Sequence, residues 1–181
     1  MAKQLSKKKR RARTVKRFFT SLLIFALIAV FVRLLVFDTV KLSSDAMSPT
    51  YRENDVVAMM KFDVLTTNNI SRNDVVTAYF EAADVKLVRR VCGVPGDYIE
   101  VREDGSKYLI YEGENGTLYE KKLENAPALV NGTLPDGAYL LLSDNPDAQA
   151  DDSRTLGLVY ITDITAKAGT VLWPPSRMFR S

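Results

Sequence analysis

Between Leu42 and Thr50 the chain reads Leu-Ser-Ser-Asp-Ala-Met-Ser-Pro-Thr, so hydroxyls on Ser43, Ser44, Ser48 and Thr50 crowd one short stretch. Pro49 restricts Ser48 to an extended backbone and Met47 supplies an apolar anchor, which is the make-up of a loop built to carry a serine nucleophile. A serine hydroxyl is a poor nucleophile until an adjacent base accepts its proton. The chain has no histidine and one cysteine, Cys92. A Ser-His-Asp triad, a Cys-His pair, a histidine metal site, an internal disulfide and a multi-cysteine zinc site are therefore excluded. The bases that remain are a carboxylate or a lysine made neutral by burial. No metal or cofactor is expected.

The elements that must position these residues read as strands. Asp55–Met60 and Asp74–Phe80 are short β-rich runs, each entered through an Asn-Asp pair at Asn54 and Asn73. Lys86 to Gly93 is a strand that ends in a turn through Pro95 and Gly96. Residues 103–134 are polar and punctuated by glycine, a hairpin-rich insertion. Its Asn115-Gly-Thr117 and Asn131-Gly-Thr133 read more simply as Asn-Gly turns than as glycosylation sequons. An apolar strand then runs into the loop at Asp144, and residues 157–174 read as a final strand. No helical period appears outside residues 18–37.

Nine lysines and arginines and no acid lie between residues 1 and 17, leaving the rest of the chain acidic although its net charge is +3. An apolar run follows to Phe37, interrupted by Arg33. A cytoplasmic arm over 1–17, a transmembrane helix over 18–37 with Arg33 snorkelling, and an extracytoplasmic domain over 38–181 are expected. That is a single-pass protein of the cell membrane, with the lipid bilayer as its first partner. Charge confined to a short arm beside an apolar run argues against nucleic acid. Ser44-x-Ala46 also has the form of a secretory cleavage site. Against that stand the continuation of the apolar run past Arg33 and the place of these residues inside the hydroxyl-rich loop.

The loop resembles the Ser-x-Ser-Met-x-Pro-Thr signature of type I signal peptidases: Ser44, Met47, Pro49 and Thr50 match, and Ala46 stands where the nucleophilic serine belongs. Lys86 to Asp97 resembles the family's Lys-Arg-Val-x-Gly-x-Pro-Gly-Asp box. Arg90, Gly93, Pro95, Gly96 and Asp97 match, and Arg89 takes the place of the general-base lysine. Asp144, Asn145, Asp152, Ser153, Arg154 and Gly157 match the later Gly-Asp-Asn-Arg and Asp-Ser-Arg motifs. There Ser143 replaces a glycine, Pro146 an arginine and Ala150 the spacer serine. The resemblance covers about residues 31–174. It implies a mostly β, signal-peptidase-type antiparallel domain with one N-terminal transmembrane helix. It also implies an oxyanion and binding site formed by the Ser44 hydroxyl and the backbone at residue 46, beside Met47 and Ser48.

Ala46 has no nucleophilic atom, and a guanidinium at Arg89 stays protonated and offers no acceptor. Removing a serine nucleophile alone removes on the order of a millionfold in kcat. The expected protein is thus a non-catalytic homologue that binds an exported or surface protein segment. It resembles the signal-peptidase-like proteins that assemble sortase-linked pili on Gram-positive cells, which implies a pilin or a sortase as partner. The competing classes are a signal peptidase I that removes signal peptides, and a basic-tailed anchor whose tail binds anionic lipid or nucleic acid. The planar fork of Arg89 is expected to hydrogen-bond a carbonyl or carboxylate of the bound segment. Ser48 reads as a turn hydroxyl rather than a displaced nucleophile, and Lys86 as solvated. Cys92 reads as a small buried hydrophobe, and Trp173 as either core or membrane interface.

Overall fold

The computed structural model describes residues 16–31, 36–61, 70–113, 115–148 and 150–178. Two compact units are formed, Met1–Phe37 and Asp38–Ser181. In the first, a helix (α1) runs over 16–31. The membrane-spanning helix expected over 18–37 falls partly outside the described residues, at 32–35, and Phe37 already opens a strand. Among the described residues no helix is long and apolar enough to cross a membrane. The arm expected over 1–17 lies outside them apart from Lys16 and Arg17.

The second unit is mostly antiparallel β. Seven strands form one sheet: β1 (Phe37–Lys41), β2 (Val56–Met60), β3 (Val75–Phe80), β4 (Val85–Gly93), β9 (Ala138–Leu142), β10 (Val159–Tyr160) and β11 (Ile164–Trp173). Their spatial order is β1-β2-β11-β3-β4-β9-β10. A second sheet, in the order β7-β6-β5-β8, holds β5 (Tyr98–Val101), β6 (Lys107–Glu112), β7 (Leu118–Leu123) and β8 (Gly132–Thr133). Strands β6 and β7 pair over six consecutive residues. Asn131 steadies the turn before β8: its carbonyl oxygen accepts from the Val101 N–H at 2.9 Å and its amide donates to the Tyr98 hydroxyl at 2.7 Å.

Strand alternation explains the cores. Val76, Ala78 and Phe80 join Val91 and Leu141 on one face of the large sheet. Val75 and Val88 point the other way and pack with Met47, Tyr51, Val57, Met59 and Val171. Strand β9 is buried along its whole length. Tyr139 and Leu141 enter the first core, while Leu140 and Leu142 enter a third with Cys92, Ile99 and Leu109. That double burial accounts for its unbroken apolar run.

Two sequence readings need correction. Residues 157–174 are not one strand: β10 ends in a 3-10 turn at Ile161–Asp163 before β11 begins, and β11 shifts register past Ala168. A helix also exists where no period suggested one, α2 at Ser153–Leu156, begun by Asp152, whose side chain accepts from the Arg154 N–H. Four residues are too few to show a period. Trp173 is 58% exposed, which excludes the core reading.

Asn54 and Asn73 adopt φ of 67° and 74°, the left-handed region in which Asn is tolerated and most side chains are strained. Asn73→Ala is expected to lower stability by about 1 kcal/mol and Asn73→Gly to leave it equal or higher. At Gly93 an added Cβ would lie 2.8 Å from Leu140 Cβ. Gly93→Ala should therefore cost about 1–3 kcal/mol through overpacking. Chemical denaturation of the three variants checks both; a neutral Gly93→Ala would show that β4 and β9 can separate freely.

Candidate functional site

The loop after β1 is fixed at its base by two backbone hydrogen bonds, Leu42 N–H to Asp55 O and Asn54 N–H to Leu42 O, each 2.9 Å. Asp45–Met47 form a single 3-10 turn, which the Ser48 N–H closes onto Asp45 O at 2.9 Å. Met47 is fully buried in the core beneath the loop, so it is the anchor its type suggested. Ala46 is buried beside it, Ser44 is extended and exposed, and Ser48 is half-buried with φ −67° and ψ 141°. Neither the Ser44 nor the Ser48 hydroxyl hydrogen-bonds a described residue.

Thr50, Arg90 and Asp144 meet at the far side of this loop. Arg90 grips Asp144 with both arms, Nε to Oδ1 and Nη2 to Oδ2, each 2.6 Å. Its Nη2 also donates to Thr50 Oγ1 at 2.9 Å, and Thr50 donates to Asp144 Oδ2 at 2.7 Å. Nη1 reaches the Asn73 carbonyl at 2.7 Å. The side-chain bond to Asp144 holds the Arg90 pKa above its ordinary value. Next to Asp144, the Asn145 N–H donates to Ala46 O at 2.9 Å and its amide to Asp45 O at 3.2 Å.

Arg89 is on the opposite face of β4, in register with Val76, and is 5% exposed. Its Nε and Nη2 donate to the Asp151 carbonyl at 2.8 and 2.6 Å, and its Nη1 to the Val88 carbonyl at 2.6 Å. This corrects the expectation that its fork serves a bound segment, because the chain's own carbonyls already occupy it. Burial lowers the Arg89 pKa from its ordinary value, opposed by the charges of Asp152 and Asp151. Ala46 and Arg89 are thus both tied to one segment, that between β9 and α2: Ala46 through Asn145, Arg89 through Asp151.

Asp152 organises that segment. It is fully buried and accepts from Ser143 N–H and Oγ and from Arg154. Burial alone would raise its pKa, but these bonds together bring it below the ordinary carboxylate value. Ser143, where the resemblance wants glycine, is used as a donor. Ser153 Oγ accepts from Leu141 N–H inside the core, at 3.0 Å. Pro146 opens an exposed 3-10 turn, and Ala150 is half-buried. Pro95 and Gly96 form the turn after β4, where Asp97 accepts from Val94 N–H and Arg72. Gly96 has φ 93°. Cys92 is buried and burial raises its thiol pKa, which matches a packing role. Lys86 is exposed.

Sequence reasoning missed two residues. Arg177 donates to Asp55 at 3.1 Å and to the Thr50 carbonyl at 3.2 Å, and the Tyr51 hydroxyl donates to the Gly169 carbonyl at 2.6 Å. The nearest signal was the buried Asp55, an acid on an otherwise apolar run. Among the described residues no grouping of acids and cysteine could hold a metal ion.

The family described as signal peptidase, peptidase S26, matches residues 15–173. The chain is 28% identical over 194 residues to signal peptidase I of Streptococcus pneumoniae serotype 4, covering 87% of this chain and 92% of that protein. It is 32% identical over 149 residues to signal peptidase IB of Staphylococcus aureus strain Mu50, covering 74% and 76%. A crystal structure of a signal peptidase I from Enterococcus faecalis V583 is 25% identical, with a TM-score of 0.40, covering 55% of this chain and 96% of that one. The assignment rests on the sequence matches: this chain belongs to the signal peptidase family, peptidase S26.

Proposed function

We propose that this chain is a non-catalytic member of the signal peptidase family, anchored in the membrane, that binds an extended segment of an exported protein without cutting it. The observation that carries the reading is the guanidinium of Arg89, buried and donating to Asp151 and Val88 carbonyls at the place of the general base. A group with no lone pair to offer cannot take a proton from a hydroxyl, and Ala46 presents no hydroxyl. The exposed Ser44 and half-buried Ser48, with Met47 buried beneath them as anchor rather than contact, are left to meet an extended segment held by main-chain hydrogen bonds. A pilin or a sortase is the partner class that follows from the resemblance to signal-peptidase-like pilus-assembly proteins.

A second reading, removal of signal peptides, is favoured by the names of the relatives, which are signal peptidases. It requires Ser48 as nucleophile. The Ser48 N–H is already bonded to Asp45 O, so it cannot help hold an oxyanion.

A fluorescent peptide with alanine at the first and third residues before the usual cut should bind the full-length chain saturably in detergent, followed by anisotropy, and be recovered intact. No saturable binding would contradict the proposal. Ala46→Ser alone should leave cleavage absent, because Arg89, at the position of the general base, stays a charged group with no lone pair to accept a proton; cleavage by that single variant would show that another base exists. Arg89→Met should destabilise the domain by about 1–3 kcal/mol, since it leaves the Asp151 and Val88 carbonyls without their guanidinium donors, and a Met variant as stable as the parent would remove the structural role given to Arg89.

A further inference from the structure

Strand β3 has two ends. Val75 pairs with Arg90, beside Thr50, whereas Phe80 pairs with Val85 at the other end. There, where β3 passes into the 3-10 turn Glu81–Ala83, a cavity of about 180 Å3 opens against β10 and the turn after it. Its walls include Tyr79, Phe80, Glu81, Leu158, Tyr160 and Asp163, and among the described residues no lysine or arginine lines it. Tyr79 and Tyr160 are 38% and 51% exposed. Neither the Glu81 nor the Asp163 carboxylate has a hydrogen bond or ion pair with a described residue. Lys86 stands opposite Tyr79 on β4 and is exposed, and it is not among the residues lining the cavity.

Two aromatic rings and two uncommitted carboxylates around one small hollow are complementary to an organic cation. The rings attract it by their quadrupole and the carboxylates by charge. The carboxylate field converges on Tyr79: its hydroxyl bonds Asp84, which foremost raises its pKa, with burial and the charges of Asp84, Glu81 and Asp163 adding to the rise. The volume is below the roughly 300–1,000 Å3 of sites that enclose a small-molecule ligand, and suits one long side chain. β10, two residues long, is the terminal strand of the seven-stranded sheet and among the described residues pairs with β9 alone. This short edge, beside the hollow, is where an extended polypeptide would pair.

We propose that this cavity takes the ammonium end of a lysine side chain, presented by an extended polypeptide laid along β10. The site is separate from the loop around Ala46 and stands whether or not that loop binds a segment of its own.

The test is a titration of the full-length chain, carrying isotope-labelled tyrosine, with an end-blocked Ala-Lys-Ala peptide, its Nε-acetylated form and 1,5-diaminopentane. Of the eight tyrosines, Tyr79 and Tyr160 should shift saturably with the lysine peptide and the other six should not. The acetylated peptide should have no effect, and the diamine a weaker one. The near-isosteric pair Glu81→Gln, at an exposed position, and Asp163→Asn, at a half-buried one, should abolish the shifts, and the six remaining resonances report whether the variant is folded. The proposal is overturned by no saturable shift up to about 50 mM, beyond the millimolar range of a single weak contact. It is equally overturned by equal shifts from the acetylated peptide or by shifts that survive in the doubly neutralised variant. A diamine as effective as the peptide would overturn the assignment to a polypeptide.

Discussion

The two-armed contact between Arg90 and Asp144 is the constraint on which the rest of the site depends. It joins three stretches distant in sequence, β4, the loop after β1 through Thr50, and the segment after β9. A bidentate guanidinium–carboxylate pair fixes orientation as well as distance. Because successive side chains on a strand point to opposite faces, holding Arg90 towards Thr50 sends Arg89 to the other face and into the interior.

A buried cation is costly unless its donors are satisfied, and the burial of Arg89 is tolerable only because carbonyl oxygens surround it. Asp151 O takes two of its N–H groups and Val88 O a third. Segment 150–152 is held in turn by Asp152, with Ser143 and Arg154 as its donors. Through the Asp151 carbonyl this segment closes on the Arg89 guanidinium. Lysine, with a compact ammonium and a pKa that burial shifts readily, and arginine, with a charge that persists, give one backbone two different capacities.

Much of this was readable in the sequence, because it rests on residue type at fixed short spacing. Met47 as anchor and Asn54 and Asn73 at left-handed turns belong to that class. What was not readable rests on contacts between distant residues or on elements too short for a period. Arg177 reaches Asp55 across 122 residues, and nothing local to either predicts it. Helix α2 depends on one cap at Asp152. The destination of the Arg89 side chain was misjudged because the sequence does not show that the Asp151 carbonyl is near enough to claim it. Strand β11 was merged with β10 because both are β-rich, and the turn at Ile161–Asp163 has no glycine or proline to announce it.

The claim that the site binds without cutting is tested most directly by incubating the purified full-length chain with a preprotein whose signal peptide carries small residues at the first and third positions before the cut, and weighing the products by mass spectrometry. The account predicts that the preprotein is recovered intact. Cleavage after those small residues, abolished by Ser48→Ala, would contradict it by showing that the nucleophile has moved along the loop.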